Sequence, residues 1–205
     1  MKTVYLKASD EQAIKTAAAF LKQGQLVVFA TDTLYGVAAA VDDAAAIDAL
    51  YRAKGRPDQK GIPVLLSDAS ALVQVARDVP DLARELSARF WPGPLTLILP
   101  RRHELPANLS ADENVAVRMP ENAVACAIIR EAGGAVAATS ANRSGEPPAR
   151  NAEEAMKALG GLVAAIVDGG EVTHGIASTI VDCTASPPVI LRHGPLTADD
   201  LALPA

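Results

Sequence analysis

The chain has 205 residues, half of them hydrophobic, with 3% aromatics and a formal net charge of −5. That length buries a sizeable core, and that apolar content argues against disorder. Few aromatics leave little to stack single-stranded nucleic acid on, and an acidic balance is not that of a general polyanion binder.

Met1 to Tyr5 contain no signal-peptide core, and no apolar run approaches the length of a membrane span, so a reducing cytoplasm is the expected compartment. Strand-like runs fall at Thr3–Leu6, Leu26–Ala30, Ile62–Leu66, Leu95–Leu99, Val115–Met119, Ala135–Ala138, Ala164–Val167, Ser178–Asp182 and Val189–Arg192. Helical segments lie between many of them. Asp10–Gln23 follows Ser9, with Gln12 completing a capping box and Gly24 placed to end the helix. Ala44–Lys54 puts Ile47, Leu50 and Tyr51 on one face. Asp81–Phe90 starts after Pro80, and Glu121–Glu131 and Ala152–Leu159 complete the set. The alternation is imperfect, which predicts an α/β protein with a mixed sheet in a single domain, residues 1–205. Cys126 and Cys183 form no Cys-x-x-Cys pair and have no histidine nearby. They read as two buried thiols rather than zinc ligands.

Four polar islands adjoin these elements: Thr31-Asp32-Thr33 with Tyr35-Gly36, Lys54-Gly55-Arg56-Pro57, Thr139-Ser140-Ala141-Asn142, and Ser178-Thr179. An α/β domain can bring such ends together on one rim of its sheet, where ligands of open sheets bind. Each island also has a plain reading. An Asp/Thr turn ends strands, and a lysine in a last helical turn suits the helix dipole. Arg56 between Gly55 and Pro57, with Lys60 following, reads instead as a phosphate clamp in a stiff loop. Arg192 ends an apolar strand, where an unpaired cation is costly if buried and an anionic ligand would remove that cost. No Gly-x-x-x-x-Gly-Lys-Ser/Thr loop, Gly-x-Gly-x-x-Gly turn, His-Glu-x-x-His or Gly-x-Ser-x-Gly elbow is present, and His103, His174 and His193 stand alone.

Taken together, the islands resemble the YrdC family, the threonylcarbamoyl-adenylate synthases. Trp91-Pro92-Gly93-Pro94-Leu95-Thr96, Val117-Arg118-Met119-Pro120, Ser144-Gly145, Ser178-Thr179-Ile180-Val181-Asp182 and Leu191-Arg192-His193-Gly194 match as well, in family order. The resemblance implies a YrdC-like twisted mixed sheet with flanking helices around a deep, positively lined cavity. It implies synthesis of L-threonylcarbamoyl-AMP from L-threonine, bicarbonate and ATP, with release of pyrophosphate. A separate complex would then pass the threonylcarbamoyl group to tRNA. By the family pattern Thr33, Arg118, Ser140 and Ser178 contact threonine, and Lys54, Arg56, Lys60, Asn142 and Arg192 contact ATP, with Lys54 and Arg56 as the catalytic cations. Lys60 stands where other members often have Asn, Arg150 where they often have Thr, and Ala30 where proline is usual. Magnesium is expected on the phosphates of ATP, with no ion held by the protein. The short stretch after Arg192 predicts no further C-terminal domain.

Two other readings accompany this one. A paralogue could keep the fold and act on another acceptor. A double-stranded RNA or ribosome-associated module could use the same basic cavity, binding RNA weakly.

Overall fold

The computed structural model describes residues 2–55 and 61–203. Ten strands form one sheet: β1 (Val4–Lys7), β2 (Val27–Ala30), β3 (Tyr35–Ala40), β4 (Val64–Leu66), β5 (Leu95–Pro100), β6 (Asn114–Arg118), β7 (Ala135–Ser140), β8 (Ala165–Asp168), β9 (Thr179–Asp182) and β10 (Val189–Arg192). Their order is β1-β8-β2-β3-β7-β4-β6-β5-β9-β10. Parallel pairs (β1/β8, β2/β8, β4/β6, β5/β9) mix with antiparallel ones, as the imperfect alternation predicts. Helices α1 (Glu11–Lys22), α2 (Ala44–Lys54), α3 (Asp81–Phe90), α4 (Ala123–Glu131), α5 (Ala152–Leu159) and α6 (Ala198–Leu201) flank the sheet.

Alternation along the strands sorts the core into two layers, because successive side chains point to opposite faces. Val28, Val37, Val64, Ala137, Leu95, Leu97, Leu99, Val115 and Val117 face one way and pack with residues of α2, α3 and α5, including Ile47, Leu50, Leu86 and Leu159. Val27, Phe29, Ala38, Leu65, Val136 and Val167 face the other way. They meet Ala17 and Leu21 of α1 and Ala125, Ile128 and Ile129 of α4. These two helices cover only one half of the second face. The other half, over β6, β5 and β9, is open and forms the floor of a cavity.

Three local expectations are corrected. Asp10, not Ser9, caps α1, its carboxylate accepting from Gln12 N at 2.9 Å; Gly24 follows the helix with φ +73°, a conformation that favours glycine. Strand β3 was absent from the predicted elements. Its sequence, Tyr-Gly-Val-Ala-Ala-Ala, is poor in the β-branched residues that mark strands, yet it runs through the sheet between β2 and β7 with its first five residues buried. Of the two cysteines, Cys183 is buried but Cys126 is only partly so.

Candidate active site

The cavity has a volume of about 450 Å³, within the range of small-molecule sites. Its floor consists of side chains two apart on neighbouring strands: Thr96 and Ile98 of β5, Asn114, Ala116 and Arg118 of β6, Ala138 and Ser140 of β7, and Ile180 of β9. Thr33, Ser178 and Arg192 reach it from strand ends. Thus all four residues expected at threonine, Thr33, Arg118, Ser140 and Ser178, line one space, and Arg192 joins them.

They do not share one rim. Arg118 lies beside Leu65 of β4, and Leu65 is paired with Val136 of β7, whereas Ser140 is paired with Gly36 at the far end of β7. Arg118 nevertheless touches the β2–β3 loop. Only a curled sheet permits that contact, and the ligand space is therefore the concave face rather than the edge.

The β2–β3 loop is a compact hydroxyl turn. Thr31 Oγ1 accepts from Thr33 N and Leu34 N (both 3.2 Å) and donates to Leu34 O (2.7 Å). This fixes Asp32 and Thr33 against Arg118. The Arg118 guanidinium is buried and donates Nε–H to Gly93 O (2.9 Å), Nη1–H to Thr33 Oγ1 (2.6 Å) and Nη2–H to Asp32 Oδ1 (2.5 Å). A guanidinium has five N–H donors, so one remains on each terminal nitrogen. Burial lowers the Arg118 pKa; the Asp32 carboxylate opposes the shift and the Arg192 charge adds to it.

Lys54 ends α2, and Gly55 turns the chain in the left-handed region (φ +60°). The buried Lys54 ammonium points into the β7–α5 loop, donating to Ser140 O (2.5 Å), Asn142 O (2.8 Å) and Asn142 Oδ1 (2.9 Å). The Asn142 amide is equally committed. Its Oδ1 also accepts from Ser140 Oγ (2.6 Å), and its Nδ2 donates to Arg143 O (3.0 Å) and Glu146 O (2.6 Å). Expected at ATP, these two side chains are spent here on shaping the loop that carries Ser140. Neither lines the cavity. Arg56 and Lys60 lie outside the described residues. Arg150 is exposed, and its guanidinium lies so close to Gly175 that a Cβ there would stand 2.8 Å from it.

Arg192 lies on an edge strand and is exposed as a residue, so its guanidinium carries only a partial desolvation cost. It reaches the cavity through a bulge: Ile190 pairs with Val181, but Arg192, not Leu191, pairs with Ile180. The extra residue turns Arg192 to the same face as Ile180. There Nε–H donates to Ser178 O (2.8 Å) and Nη2–H to Ser178 Oγ (3.0 Å), while partial desolvation lowers the pKa. Ser178 Oγ also shares a hydrogen bond with Thr96 Oγ1 (2.7 Å). Gly194 lets the chain turn back beside this strand end, since a Cβ there would stand 2.4 Å from Thr179 N. Thr96 and Asp32, which hold Ser178 and Arg118, were not among the predicted site residues. Both sit inside matched motifs, which was the available signal.

The Sua5/YciO/YrdC family model, described as telomere recombination, matches residues 19–194. The chain belongs to this family. It is 41% identical over 198 residues to the threonylcarbamoyl-AMP synthase of Bacillus subtilis, covering 96% of this chain and 57% of that protein. The putative threonylcarbamoyl-AMP synthase of Mycobacterium tuberculosis strain H37Rv is 40% identical, covering 93% of this chain and 88% of the relative. The structure superposes on Pyrococcus abyssi Sua5 complexed with L-threonine with a TM-score of 0.94 and 36% identity, covering 98% of this chain and 60% of that one. Escherichia coli YciO gives 0.86 at 25% identity over 98% of this chain and all of its own length. The chain thus spans little more than half the length of the Bacillus and Pyrococcus relatives. The family resemblance and the twisted mixed sheet around a cavity are as the sequence predicts. An RNA-binding module is not favoured by the likeness to proteins named threonylcarbamoyl-AMP synthase and to a Sua5 structure complexed with L-threonine. Among the described residues no helix is long and apolar enough to cross a membrane, and no group of three or more His, Cys, Asp or Glu could hold a metal ion.

Proposed function

We propose that this protein makes L-threonylcarbamoyl-AMP from L-threonine, bicarbonate and ATP, releasing pyrophosphate. The observation that carries the reading is the meeting of Arg118, Thr33, Ser140 and Ser178 with a second guanidinium, Arg192, around one cavity of about 450 Å³.

The two remaining terminal N–H groups of Arg118 suit the amino acid's carboxylate. Thr33 and Ser140 offer hydroxyl contacts, and Leu65 and Ala138 offer apolar surface to its methyl. Arg192 would take the phosphates, together with Arg56 and Lys60 as the family pattern implies. Lys54 and Asn142 hold the loop between them, and Lys54 adds positive charge behind it. Magnesium would arrive on the phosphates of ATP, the oxygen ligands this ion ordinarily keeps in nucleotide sites.

The chemistry needs no protein nucleophile. The threonine amine captures the carbon of bicarbonate with loss of water, giving a carbamate. The carbamate oxygen then attacks the α-phosphorus, and pyrophosphate leaves. The cavity hydroxyls fit that division of labour: Ser178 is held by a guanidinium and a threonine, not by a base. The protein's contribution is positioning, charge stabilisation and exclusion of water from a labile carbamate. The product is a mixed anhydride, suited to handing its acyl group to tRNA through a separate complex.

Mass spectrometry of a reaction with L-threonine, bicarbonate and magnesium-ATP tests the reading. A threonylcarbamoyl-AMP peak is expected, with pyrophosphate release that stops when threonine or bicarbonate is omitted. Equal release without either would refute it.

A further inference from the structure

The two guanidiniums that face the cavity are unlike. Arg118 is paired with the Asp32 carboxylate, and both side chains are buried. Arg192 is bonded only to Ser178 and has no carboxylate partner among the described residues. Both line the one cavity, and the charge of Arg192 adds to the lowering of the Arg118 pKa that burial begins. One end of the cavity is therefore nearly neutral and the other cationic.

Asp32 is built firmly into this arrangement. Its Oδ1 accepts from Arg118 Nη2 and from Glu121 N (3.1 Å), and its backbone carbonyl accepts from His174 N (2.9 Å). It thereby ties the β2–β3 loop to the β6–α4 and β8–β9 connections. Its Oδ2 is buried without a hydrogen-bond partner. Leaving a carboxylate oxygen unsatisfied is costly, and a neutral amide would have met the same Oδ1 contacts. The charge itself is what the position supplies.

We propose that Asp32 is a specificity-determining residue acting through Arg118: its buried negative charge reserves the Arg118 end for a zwitterion and turns away phosphate-like anions, which leaves the nucleotide to Arg192. An amino acid brings its own ammonium and adds no net charge to a neutral end. A sulfate or phosphate brings only negative charge, which Asp32 repels. Without Asp32 the two neighbouring guanidiniums would make one continuous anion trap, in which triphosphate competes with the amino acid. Rejection by a like charge is how a site discriminates against a wrong ligand that it could otherwise hold. The proposal rests on the amino-acid reading above for what Arg118 binds, but the rejection of anions does not.

Titration calorimetry on the full chain, with L-threonine and inorganic sulfate as probes, tests it. Sulfate should not displace L-threonine from the wild-type protein. In Asp32→Asn, which keeps an oxygen for Arg118 and Glu121 N, sulfate should bind about tenfold or more tighter and compete with threonine, the size of one charge-assisted contact. Asp32→Glu keeps the charge and should still exclude sulfate. The double variant Asp32→Asn/Arg118→Gln carries no unpaired buried charge and should lose the gained sulfate affinity, a result that a merely structural role for Asp32 would not produce. Sulfate displacing threonine from the wild type would overturn the proposal, as would unchanged sulfate affinity in Asp32→Asn or competition appearing in Asp32→Glu. If Asp32→Asn does not fold, the wild-type competition and Asp32→Glu still decide. A wild type that binds no L-threonine would sink the amino-acid reading instead, while the sulfate gain in Asp32→Asn would still report on exclusion.

Discussion

Replacing Lys54 by methionine separates a loop-holding lysine from a phosphate-binding one. Lys54 is only 3% exposed; methionine keeps most of the side chain's length and removes the ammonium that donates to Ser140 O, Asn142 O and Asn142 Oδ1. Asn142 Oδ1 would retain Ser140 Oγ as a donor and Ser140 O would retain Asn142 N (3.0 Å), so the loss falls chiefly on Asn142 O. Each buried acceptor left unsatisfied costs about 1–3 kcal/mol. Relief from burying a charge offsets part of this. Ser144 N still donates to Lys54 O at 2.8 Å, so the loop keeps one backbone tether. A net loss of about 1.5 kcal/mol is expected, which for a chain of this size lowers the melting temperature by roughly 3–6 °C. Thermal unfolding by circular dichroism measures it, and threonine affinity should fall with it, because Ser140 sits on the released loop. A melting temperature within about 2 °C of wild type, combined with lost ATP binding, would refute the reasoning and return Lys54 to the phosphates.

Arg56→Ala should behave in the opposite way, lowering ATP affinity or turnover by about tenfold to a hundredfold with little change in melting temperature, as loss of charge-assisted hydrogen bonds to phosphate requires; wild-type turnover would remove Arg56 from the clamp. Among amino acids the order should be threonine, then serine, then valine. Serine loses only a methyl against Leu65 and Ala138, worth about 1–3 kcal/mol, whereas valine leaves hydroxyl-reading groups unpaired; valine turning over as well as serine in an adenylate-formation assay would withdraw the roles of Thr33, Ser140 and Ser178. Tyr35, which donates to Gly170 O and accepts from Gly169 N, has its phenol pKa pushed up to about 12, chiefly by burial. The native state thus keeps a proton that the unfolded chain gives up near pH 10, and stability is lost as pH rises from about 10 to about 12. Tyr35→Phe should flatten this alkaline slope in pH-dependent denaturant melts, and an unchanged slope would contradict it.

The fold was legible where local chemistry and burial agree. Largely apolar runs such as Leu95–Leu99 are strands with one face in the core, and Ala44–Lys54 is a helix because its apolar spacing and its Gly55 stop coincide. Strand β3 was hidden because its stability comes from position rather than composition. Alanines and a glycine suit a strand squeezed between β2 and β7, and nothing in a window of six residues reports its neighbours. The same holds for the curl of the sheet. The register that places Arg118 and Ser140 at opposite strand ends is a long-range property, and the expectation of a shared rim fails on it.

At the site, residue type was readable and residue task was not. The family resemblance marks Lys54, Asn142, Arg118 and Arg192 alike as ligand contacts, and each is a donor near a strand or helix end. Three-dimensional neighbours then divide them. A lysine surrounded by three carbonyl-type oxygens has no hydrogen to spare, and an amide with both hydrogens and its oxygen engaged organises a loop. Arg118 keeps donors because its fork has more of them than the loop can use. Arg192 keeps its charge uncompensated because a bulge of one residue turns it to the concave face, beyond reach of any described carboxylate. Asp32 reads in sequence as a turn residue, and its own backbone does sit in a turn. What makes it part of the site is the arginine 86 positions away that it neutralises. Its task can be inferred only once the second, unneutralised guanidinium is seen to share the same cavity.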